Sequence, residues 1–411
     1  MKKTIKLAVV AALALGTTSV FATNGTNLIG YGAKSRAMGG TAISNFNGAE
    51  SAFANPALIS VGTNKTDATI GATILMPDVT FESDANANGN MTRANNGATS
   101  DNSTAGNGMI PSVAVINKID NTFAWGLALY GVGGMGVDYR EASDTTAVGL
   151  NNINDNLMLM RMSIPLAYTI SGFSIGVAPV IEYGSLAMNN GVTTDIATGY
   201  EIGAAYSISD FSFGLDYKSA VTHNFKNTFN STISAVSGQL DATNIQSKLD
   251  TPSVLGLGIS YKIGASTIAI DYKKIAYGSA KGFEDFGWED QSVYAIGYEF
   301  TTKSWALRAG YNHASSPLPT DITGTNVGNM TSFGQVTGSF MQFPAVTESH
   351  ITFGGSYNFS KVLSVDLAYM IASGSATAST PDFSANQGFP SGEITTTNNQ
   401  TAASFALNYA Y

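Results

Sequence analysis

The chain of 411 residues contains no cysteine. Disulfides, thiolate metal sites and a cysteine nucleophile are therefore excluded, so burial and backbone hydrogen bonds must stabilise the fold. Charged residues are scarce at 12 % of the chain, which is roughly half of what soluble globular proteins carry. With 20 basic and 29 acidic residues, the chain also lacks the basic excess that a nucleic-acid partner requires.

Long apolar runs are missing as well, because no stretch approaches the ~18 residues of a transmembrane helix. A shorter apolar segment, Leu7–Leu15, follows a start that contains three lysines. This order, with small residues after the apolar segment, is typical of a secretory signal peptide. We predict cleavage after Ala22, so that residues 1–22 are removed and the mature chain is exported across a bacterial inner membrane.

What the sequence has in abundance is alternation. In Val362–Ile371 and Ser253–Ile263 every second residue is large and apolar, and most residues between them are small or polar. Segments of ~10 residues with this period of two are typical of outer-membrane β-barrel strands. Charged residues such as Asp271 and Lys273 fall on the small-residue face. We expect that face to line the lumen, because Arg or Lys facing the bilayer midplane costs ~2–4 kcal/mol.

Tight turns alternate with long polar loops along the same region. Ser209-Asp210 is a predicted tight turn, and Ala314–Glu348 is a predicted long loop. Short periplasmic turns and long outer loops are typical of these barrels. We predict an all-β membrane protein, a 14-stranded antiparallel transmembrane β-barrel over residues 63–411, in the outer membrane of a Gram-negative bacterium. A soluble β-sandwich is the alternative fold.

The final segment, Ser404–Tyr411, alternates in the same way and ends on an aromatic residue. Such an ending resembles the signal that the barrel-assembly machinery recognises, so we expect that machinery as a partner during biogenesis. Outer-membrane lipid is a further expected partner. We expect the barrel to be a monomer.

Residues 23–62, before the first strand, do not alternate. Gly39, Gly40 and the Asn55-Pro56 step would break any long element there. A barrel of about 14 strands lies between those filled by side chains and the open porins, so it needs a plug. We predict that residues 23–62 form a small N-terminal helical hatch inside the lumen. The alternative is an irregular N-terminal arm.

Several motifs, taken in order, resemble the FadL/TodX family of outer-membrane transporters for long-chain fatty acids and other hydrophobic molecules. These motifs are Asn27–Gly32, Arg36–Gly40, Asn55–Ile59, Thr251–Val254, Phe286–Tyr294 and Phe343–Val346. The resemblance implies a hatch gate at Asn55, Pro56 and Ala57, a lumen pocket, and a lateral opening at an inward kink of the third strand.

A glycine run lies at the matching place, after a strand predicted over Thr122–Tyr130. The glycines proposed for the kink are Gly131, Gly133, Gly134 and Gly136. Glycines inside a strand mark bulges or bends. The alternative is a flexible strand end near a loop. The run also fits a dinucleotide-binding pattern, but a polar loop follows it where that motif requires a helix.

Candidate ligand contacts follow from the predicted lumen face. A carboxylate ligand would need a cation there, and Arg161, Lys273 and Arg308 face the lumen by alternation. Their alternative role lies in structural ion-pair networks. The partners in such networks would be Asp216, Asp271, Glu182, Glu201 or Asp366. Tyr130, Val180 and Met370 are candidates for the apolar part of the pocket.

Solvation suggests how such a protein would work. Carrying an alkyl chain through water costs ~0.8 kcal/mol per methylene, so an apolar pocket with a side exit into the bilayer favours passage. We predict passive, hatch-gated uptake of long-chain fatty acids or similar hydrophobic molecules, without a cofactor. The alternatives are a channel for aromatic or aliphatic hydrocarbons, a general diffusion porin, and an adhesin.

Enzymatic function is not predicted. His223, His313 and His350 are scattered without metal-ligand spacing, so no metal site is expected. A Ser-His-Asp lipase in the barrel wall remains an alternative, but the hatch would have no role in it. The third outer loop, near Met188–Thr198, is short, so a surface capture groove would rest on the fourth loop, Lys226–Asp250.

Overall fold

The computed structural model describes residues 23–83, 99–141, 153–188, 191–226, 228, 247–319, 337–380 and 392–411. The predicted signal peptide and most of the predicted fourth loop lie outside these ranges. No helix within them is both long enough and apolar enough to cross a membrane.

The described residues form a closed antiparallel barrel and one small hairpin. The segments are β1 (Thr66–Ser83), β2 (Thr99–Asn102), β3 (Gly108–Lys118), β4 (Phe123–Asp138), β5 (Asn154–Ser163), β6 (Leu166–Ile170), β7 (Phe173–Met188), β8 (Gly191–Ile208), β9 (Phe211–Lys218), β10 (Val221–Asn224), β11 (Lys248–Thr251), β12 (Val254–Ile263), β13 (Ser266–Ile275), β14 (Gln291–Thr301), β15 (Trp305–Ala314), β16 (Ser349–Asn358), β17 (Leu363–Ser373), β18 (Ser375–Thr380) and β19 (Gly392–Ala410). Strands β10 and β11 form the hairpin, and the other 17 segments form one sheet.

Pairing of β1 with β19 closes that sheet. Three transmembrane strands consist of two segments each, namely β2 with β3, β5 with β6, and β17 with β18. The 17 segments therefore make 14 transmembrane strands, as predicted. Closure gives the first and the last strand of the sheet a neighbour on both sides, which suits a lipid environment.

The two faces of the wall follow the predicted alternation. Leu255, Leu257 and Ile259 point outward and are 37–49 % exposed, whereas Asp216 and Asp271 are buried on the inner face. Large apolar side chains therefore cover the lipid-facing surface, and the carboxylates of Asp216 and Asp271 lie inside the barrel.

The connections before and after β7 are both short. Ser171 and Gly172 join β6 to β7 with φ values of 49° and 81°, the left-handed conformation that two-residue hairpins use. On the outer side, β7 and β8 remain paired up to Met188 and Gly191. The predicted short third outer loop is therefore confirmed, and most of Met188–Thr198 belongs to strands.

The segment before β1 lies inside the barrel. It contains helix α1 (Ala33–Ala37), a 3₁₀ turn (Gly48–Glu50) that continues into helix α2 (Ser51–Ala54), and a second 3₁₀ turn (Pro56–Ser60). Glu50 accepts hydrogen bonds from the backbone N–H groups of Ala33 (2.8 Å) and Lys34 (3.0 Å). This carboxylate therefore caps the start of α1 and ties the two helices together.

Candidate transport site

The body of the hatch, which we define as residues 33–60, rests on glycines of the barrel wall. At these positions an added Cβ would lie less than 3.0 Å from a hatch atom. The glycines are Gly176 in β7, Gly203 in β8, Gly214 in β9, Gly258 in β12, Gly297 in β14, Gly310 in β15 and Gly354 in β16. Between them, Asp271 of β13 accepts hydrogen bonds from the backbone of Ala42 (2.8 Å) and Ile43 (3.0 Å). The hatch body therefore touches a continuous arc of the wall, which we call the glycine seat.

The predicted gate triplet lies in this seat. Asn55 Nδ2 donates to the carbonyl oxygens of Ile43 (2.8 Å), Ala204 (3.3 Å) and Leu215 (3.2 Å). Pro56 and Ala57 pack on Gly176 of β7. The triplet therefore joins the hatch to β7, β8 and β9, at some distance along the sheet from the glycine run of β4.

The wall itself is interrupted between β3 and β4. Their pairing runs from Lys118 and Ala124 to Ser112 and Tyr130 and stops there within the described residues, although β4 continues to Asp138. On its other side β4 stays paired with β5 through a register shift between Gly131 and Gly133. The glycine run therefore lies within β4, where Val132 is an extra residue relative to β5 and where the pairing with β3 has stopped.

The far end of the interruption is closed. The backbone N–H of Thr104 donates to Asp138 O (2.7 Å), and the N–H of Asp138 donates to Ser103 Oγ (2.9 Å). A gap in the wall therefore lies between the Ser112–Tyr130 pair and the Thr104–Asp138 contact. We call it the β3–β4 gap.

The N-terminal segment of the hatch, residues 23–31, fills the inner side of this gap. Asn27 forms a β-bridge with Gly133. Gly134 N donates to Thr26 O (3.0 Å), and Leu28 N donates to Val132 O (3.4 Å). The segment thus supplies β4 with backbone partners where β3 does not.

Apolar side chains gather behind the gap. Leu28 and Ile29 of the N-terminal segment pack in one cluster with Ile110 of β3 and Met370 of β17. Ile110 faces Gly131, where no side chain occupies the wall. Met370, which the sequence analysis proposed as a ligand contact, therefore lies beside the N-terminal segment at the β3–β4 gap.

Arg161 belongs to a buried charge network. Its guanidinium contacts Glu182 (2.7 Å) and Glu201 (2.9 Å). Lys218 also contacts Glu201 (3.4 Å) and donates to the hatch carbonyl of Ala54 (2.8 Å). Both carboxylates are thus matched by cations, which is the condition for burying such groups.

Two of the predicted apolar contacts lie near that network. The hydroxyl of Tyr130 donates to Glu201 (3.2 Å), and its ring packs against Tyr31 and Phe53 of the hatch with centroid distances of 5.2 and 4.8 Å. Val180 is buried on the inner face of β7, where it pairs with Ser163. Tyr130 and Arg161 are therefore brought together, with Glu201 between them.

The other two predicted cations lie apart from Arg161. Lys273 donates to the hatch carbonyls of Ile29 (2.8 Å) and Gly40 (3.3 Å). Arg308 contacts Glu299 (2.6 Å) and Asp366 (3.6 Å). Each cation therefore has partners within the protein.

A cavity of about 40 Å³ lies between the hatch and β9, β12 and β13. Leu28, Ile43, Asp216, Lys218 and Lys273 are among its lining residues. This volume suits a few water molecules, whereas pockets for organic ligands usually measure ~300–1,000 Å³. The seated hatch therefore leaves no room at this place for a large hydrophobic ligand.

The residues of the N-terminal segment that pair with β4 were not predicted as functional. Asn27 and Leu28 were named only as part of a motif that resembles the family. Their pairing with β4 joins residues more than 100 positions apart, and such long-range pairing leaves no pattern in the local sequence. Tyr277, which contacts the same segment, is likewise an ordinary aromatic residue in the sequence.

A closed 14-stranded barrel with an internal hatch defines the class of plugged outer-membrane β-barrels. Residues 8–197 and 187–328 match the family model described as outer membrane protein transport protein (OMPP1/FadL/TodX). The chain belongs to this family, whose members transport hydrophobic compounds across the outer membrane of Gram-negative bacteria.

Solved structures share the fold. The toluene transporter TodX of Pseudomonas putida superimposes with a TM-score of 0.66 at 18 % identity, covering 94 % of this chain and 99 % of TodX. A FadL homologue of Pseudomonas aeruginosa superimposes with a TM-score of 0.68 at 15 % identity, covering 96 % and 100 %. An uncharacterised protein of Chlorobium limicola, named for its place in the phosphoenolpyruvate carboxykinase gene 5′ region, is 40 % identical over 85 residues, which are 20 % of this chain and 41 % of that protein.

Proposed function

We propose that this transporter takes up hydrophobic molecules passively and releases them sideways into the bilayer through the β3–β4 gap. The observation that carries the proposal is the loss of β3–β4 pairing beyond Ser112 and Tyr130, while β4 continues to Asp138. Pro111 supports it, because proline has no N–H to donate across the gap. A molecule that leaves here enters lipid directly and avoids the cost of water, ~0.8 kcal/mol per methylene.

In this proposal the N-terminal segment is the gate. Thr26, Asn27 and Leu28 occupy the inner side of the gap, and Ile29 and Met370 continue the apolar surface behind it. The segment must leave β4 before a molecule can pass. No catalytic step and no cofactor is needed, because movement follows the concentration gradient.

The charges of the lumen favour an uncharged substrate. Arg161, Lys273 and Arg308 are each engaged by carboxylates or hatch carbonyls, so a fatty acid headgroup would have to displace a partner. A monoaromatic hydrocarbon such as toluene, which TodX transports, needs no such displacement. We therefore place uncharged hydrocarbons first and long-chain fatty acids second.

Deleting Val132 tests the exit. The deletion removes the extra residue of β4 and lets β3 pair further along β4, so the gap should close. We expect hydrocarbon uptake into cells to fall to the level of a strain without the protein, while heat-modifiable migration shows a folded barrel. Ile110→Trp, which adds bulk opposite Gly131 without changing the register, should reduce uptake in the same direction. Unchanged uptake in both folded variants would exclude this exit.

Calorimetry on the refolded barrel tests the substrate class. We expect binding of toluene and weaker or no binding of a long-chain fatty acid. Binding of the fatty acid alone would reverse the order of the two candidates. Ion conductance with binding of neither would instead favour the porin alternative.

A further inference from the structure

Tyr277 lies in the outer connection after β13, within a 3₁₀ turn (Tyr277–Ser279), and its hydroxyl binds the N-terminal hatch segment. The oxygen accepts from the backbone N–H of Thr26 (2.6 Å) and lies 3.1 Å from Thr26 Oγ1. It also accepts from Asn27 Nδ2 (3.4 Å) and donates to Asn24 O (3.0 Å). One hydroxyl therefore contacts three of the four residues that precede Leu28.

The ring of Tyr277 is held as firmly as the hydroxyl. Gly25, at a φ of 63°, passes so close under the ring that an added Cβ would collide with it. On the other side the ring packs edge-on against Phe283 (5.3 Å) and Trp288 (5.0 Å). Trp288 in turn donates to Ser339 Oγ (3.0 Å).

This cluster joins two outer connections. Phe283 also packs against Phe343 with a centroid distance of 6.2 Å, and Phe343 packs against Phe286 at 5.8 Å. Residues 277–288 follow β13, whereas residues 339–343 precede β16. Aromatic side chains from both connections therefore surround the ring that binds the hatch.

We propose that Tyr277 is a positioning residue for the gate: its hydroxyl holds Thr26–Leu28 against Val132–Gly134, so the segment leaves the β3–β4 gap only after this oxygen is released. The backbone contacts of Thr26–Leu28 to β4 are few and one is long, at 3.4 Å, so the hydroxyl of Tyr277 adds substantially to the attachment at Thr26 and Asn27. Lys273 and the apolar cluster act further along the segment, at Leu28 and Ile29. The role in gating rests on the proposed function, whereas the attachment of the segment does not.

Tyr277→Phe is the direct test, because it removes the hydroxyl and keeps the ring in its cluster. Tyr139→Phe is the matched control, since Tyr139 is equally buried and its hydroxyl has no hydrogen-bond partner among the described residues. Amide hydrogen exchange would be followed in the full-length barrel in detergent. We expect exchange in the peptide covering residues 23–31 to be about tenfold faster in Tyr277→Phe, a factor that corresponds to ~1.4 kcal/mol, and unchanged in Tyr139→Phe.

Two further exchange measurements complete the test. Exchange in residues 51–60 should stay at the wild-type rate, because the hydroxyl of Tyr277 makes its hydrogen bonds to residues 24–27. If Tyr277→Phe does not fold, Thr26→Val removes one of the same contacts and should give a smaller acceleration. Equal exchange rates in the Tyr277 and Tyr139 variants, or in Thr26→Val and wild type, would overturn the attachment.

Uptake separates the gating role from the attachment. We expect a higher initial rate of hydrocarbon uptake in Tyr277→Phe than in Tyr139→Phe. Faster exchange with an unchanged uptake rate would overturn the gating role. If the wild-type protein takes up no hydrocarbon while exchange still responds to Tyr277→Phe, the proposed function fails and the attachment stands.

Discussion

The body and the N-terminal segment of the hatch are held in different ways. The body, residues 33–60, lies on glycines of seven strands, and Asn55 donates to two carbonyl oxygens of the wall, those of Ala204 and Leu215. Within the N-terminal segment, residues 23–31, Thr26–Leu28 pair with β4 through a few backbone contacts, and Tyr277 binds the same stretch through its hydroxyl. Leu28 and Ile29 also pack on Ile110 and Met370, and Lys273 donates to the carbonyl of Ile29.

The difference locates the expected motion. The backbone of the hatch body lies directly on the backbone of the wall at the glycine seat. Because close-packed contacts of this kind are stiff, even a small shift of the body would cause steric overlap. The contacts that join Thr26–Leu28 to β4 and Tyr277 are, by contrast, a few hydrogen bonds, whose groups water can hydrate once the segment leaves. Parts of a protein with few buried contacts open at low free energy. We therefore expect the segment to move while the body stays seated.

Gly203→Ala should produce the largest effect, because it breaks the seat of the body. The added Cβ would overlap with Asn55, and overpacking of this kind costs about 1–3 kcal/mol. Urea unfolding in lipid vesicles measures the loss in the free energy of unfolding. Gly106→Ala is the control, because an added Cβ there meets no atom within 4 Å. Equal losses in the two variants would mean that the hatch is not held by the glycine seat.

An effect within the same range should come from pH, through Glu50 in the body. Burial raises the pKa of Glu50 from 4.5 to about 7, and the negative charge of Asp366 adds to this increase. The charge of Lys34 and hydrogen bonds from the N–H groups of Ala33 and Lys34 oppose it. The folded state therefore binds a proton that the unfolded state releases between pH 4.5 and 7. The resulting stability is fully present below pH 4.5 and is lost as pH rises through 7.

Lowering the pH from 7 to 5 should therefore stabilise the hatch body by about 2 kcal/mol. Hydrogen exchange in residues 33–60 measures this change, and Glu50→Gln should remove most of it. Exchange in residues 23–31 should respond less, because the hydrogen bonds of the Glu50 carboxylate go to Ala33 and Lys34 of the body. The same pH dependence in wild type and Glu50→Gln would show that another group is responsible.

The smallest effect is expected from a crosslink between the hatch body and the barrel wall. Ser60 Oγ and Thr169 Oγ1 lie 2.5 Å apart, between the end of the hatch and β6. In a chain without cysteine, the double variant Ser60→Cys, Thr169→Cys introduces a single pair that can form a disulfide. We expect the oxidised protein to take up hydrocarbon at the rate of the reduced one, because the body need not move. Uptake that stops on oxidation and returns on reduction would place the motion in the body instead.

Some features were predictable because they are local. The outward face of Ser253–Ile263 follows from the period of two in a lipid environment, which repeats within each strand. The glycine run from Gly131 to Gly136 marked the place where the wall is irregular, but its form was not predictable. Whether a strand ends or bends there depends on β5, which continues to pair with β4 up to Asp138.

The partners of the cationic side chains in the lumen were less predictable. Alternation placed Arg161, Lys273 and Arg308 inside, and the proposed ion-pair partners included Glu182, Glu201 and Asp366, which Arg161 and Arg308 do contact. Lys273 instead reaches two hatch carbonyls. Backbone oxygens are present at every residue, so no sequence pattern distinguishes the two that a lysine will reach.

By itself the sequence determined a barrel of 14 strands, its lipid face, its separate N-terminal segment and its family, because each depends on periodicity, composition or motif order within short stretches. The tertiary structure alone decided that Thr26–Leu28 replaces β3 beside β4 and that Tyr277, about 250 residues away, holds it there. Such contacts arise only when closure of the barrel brings its outer connections over the hatch. The distance along the chain then has no bearing on which groups meet.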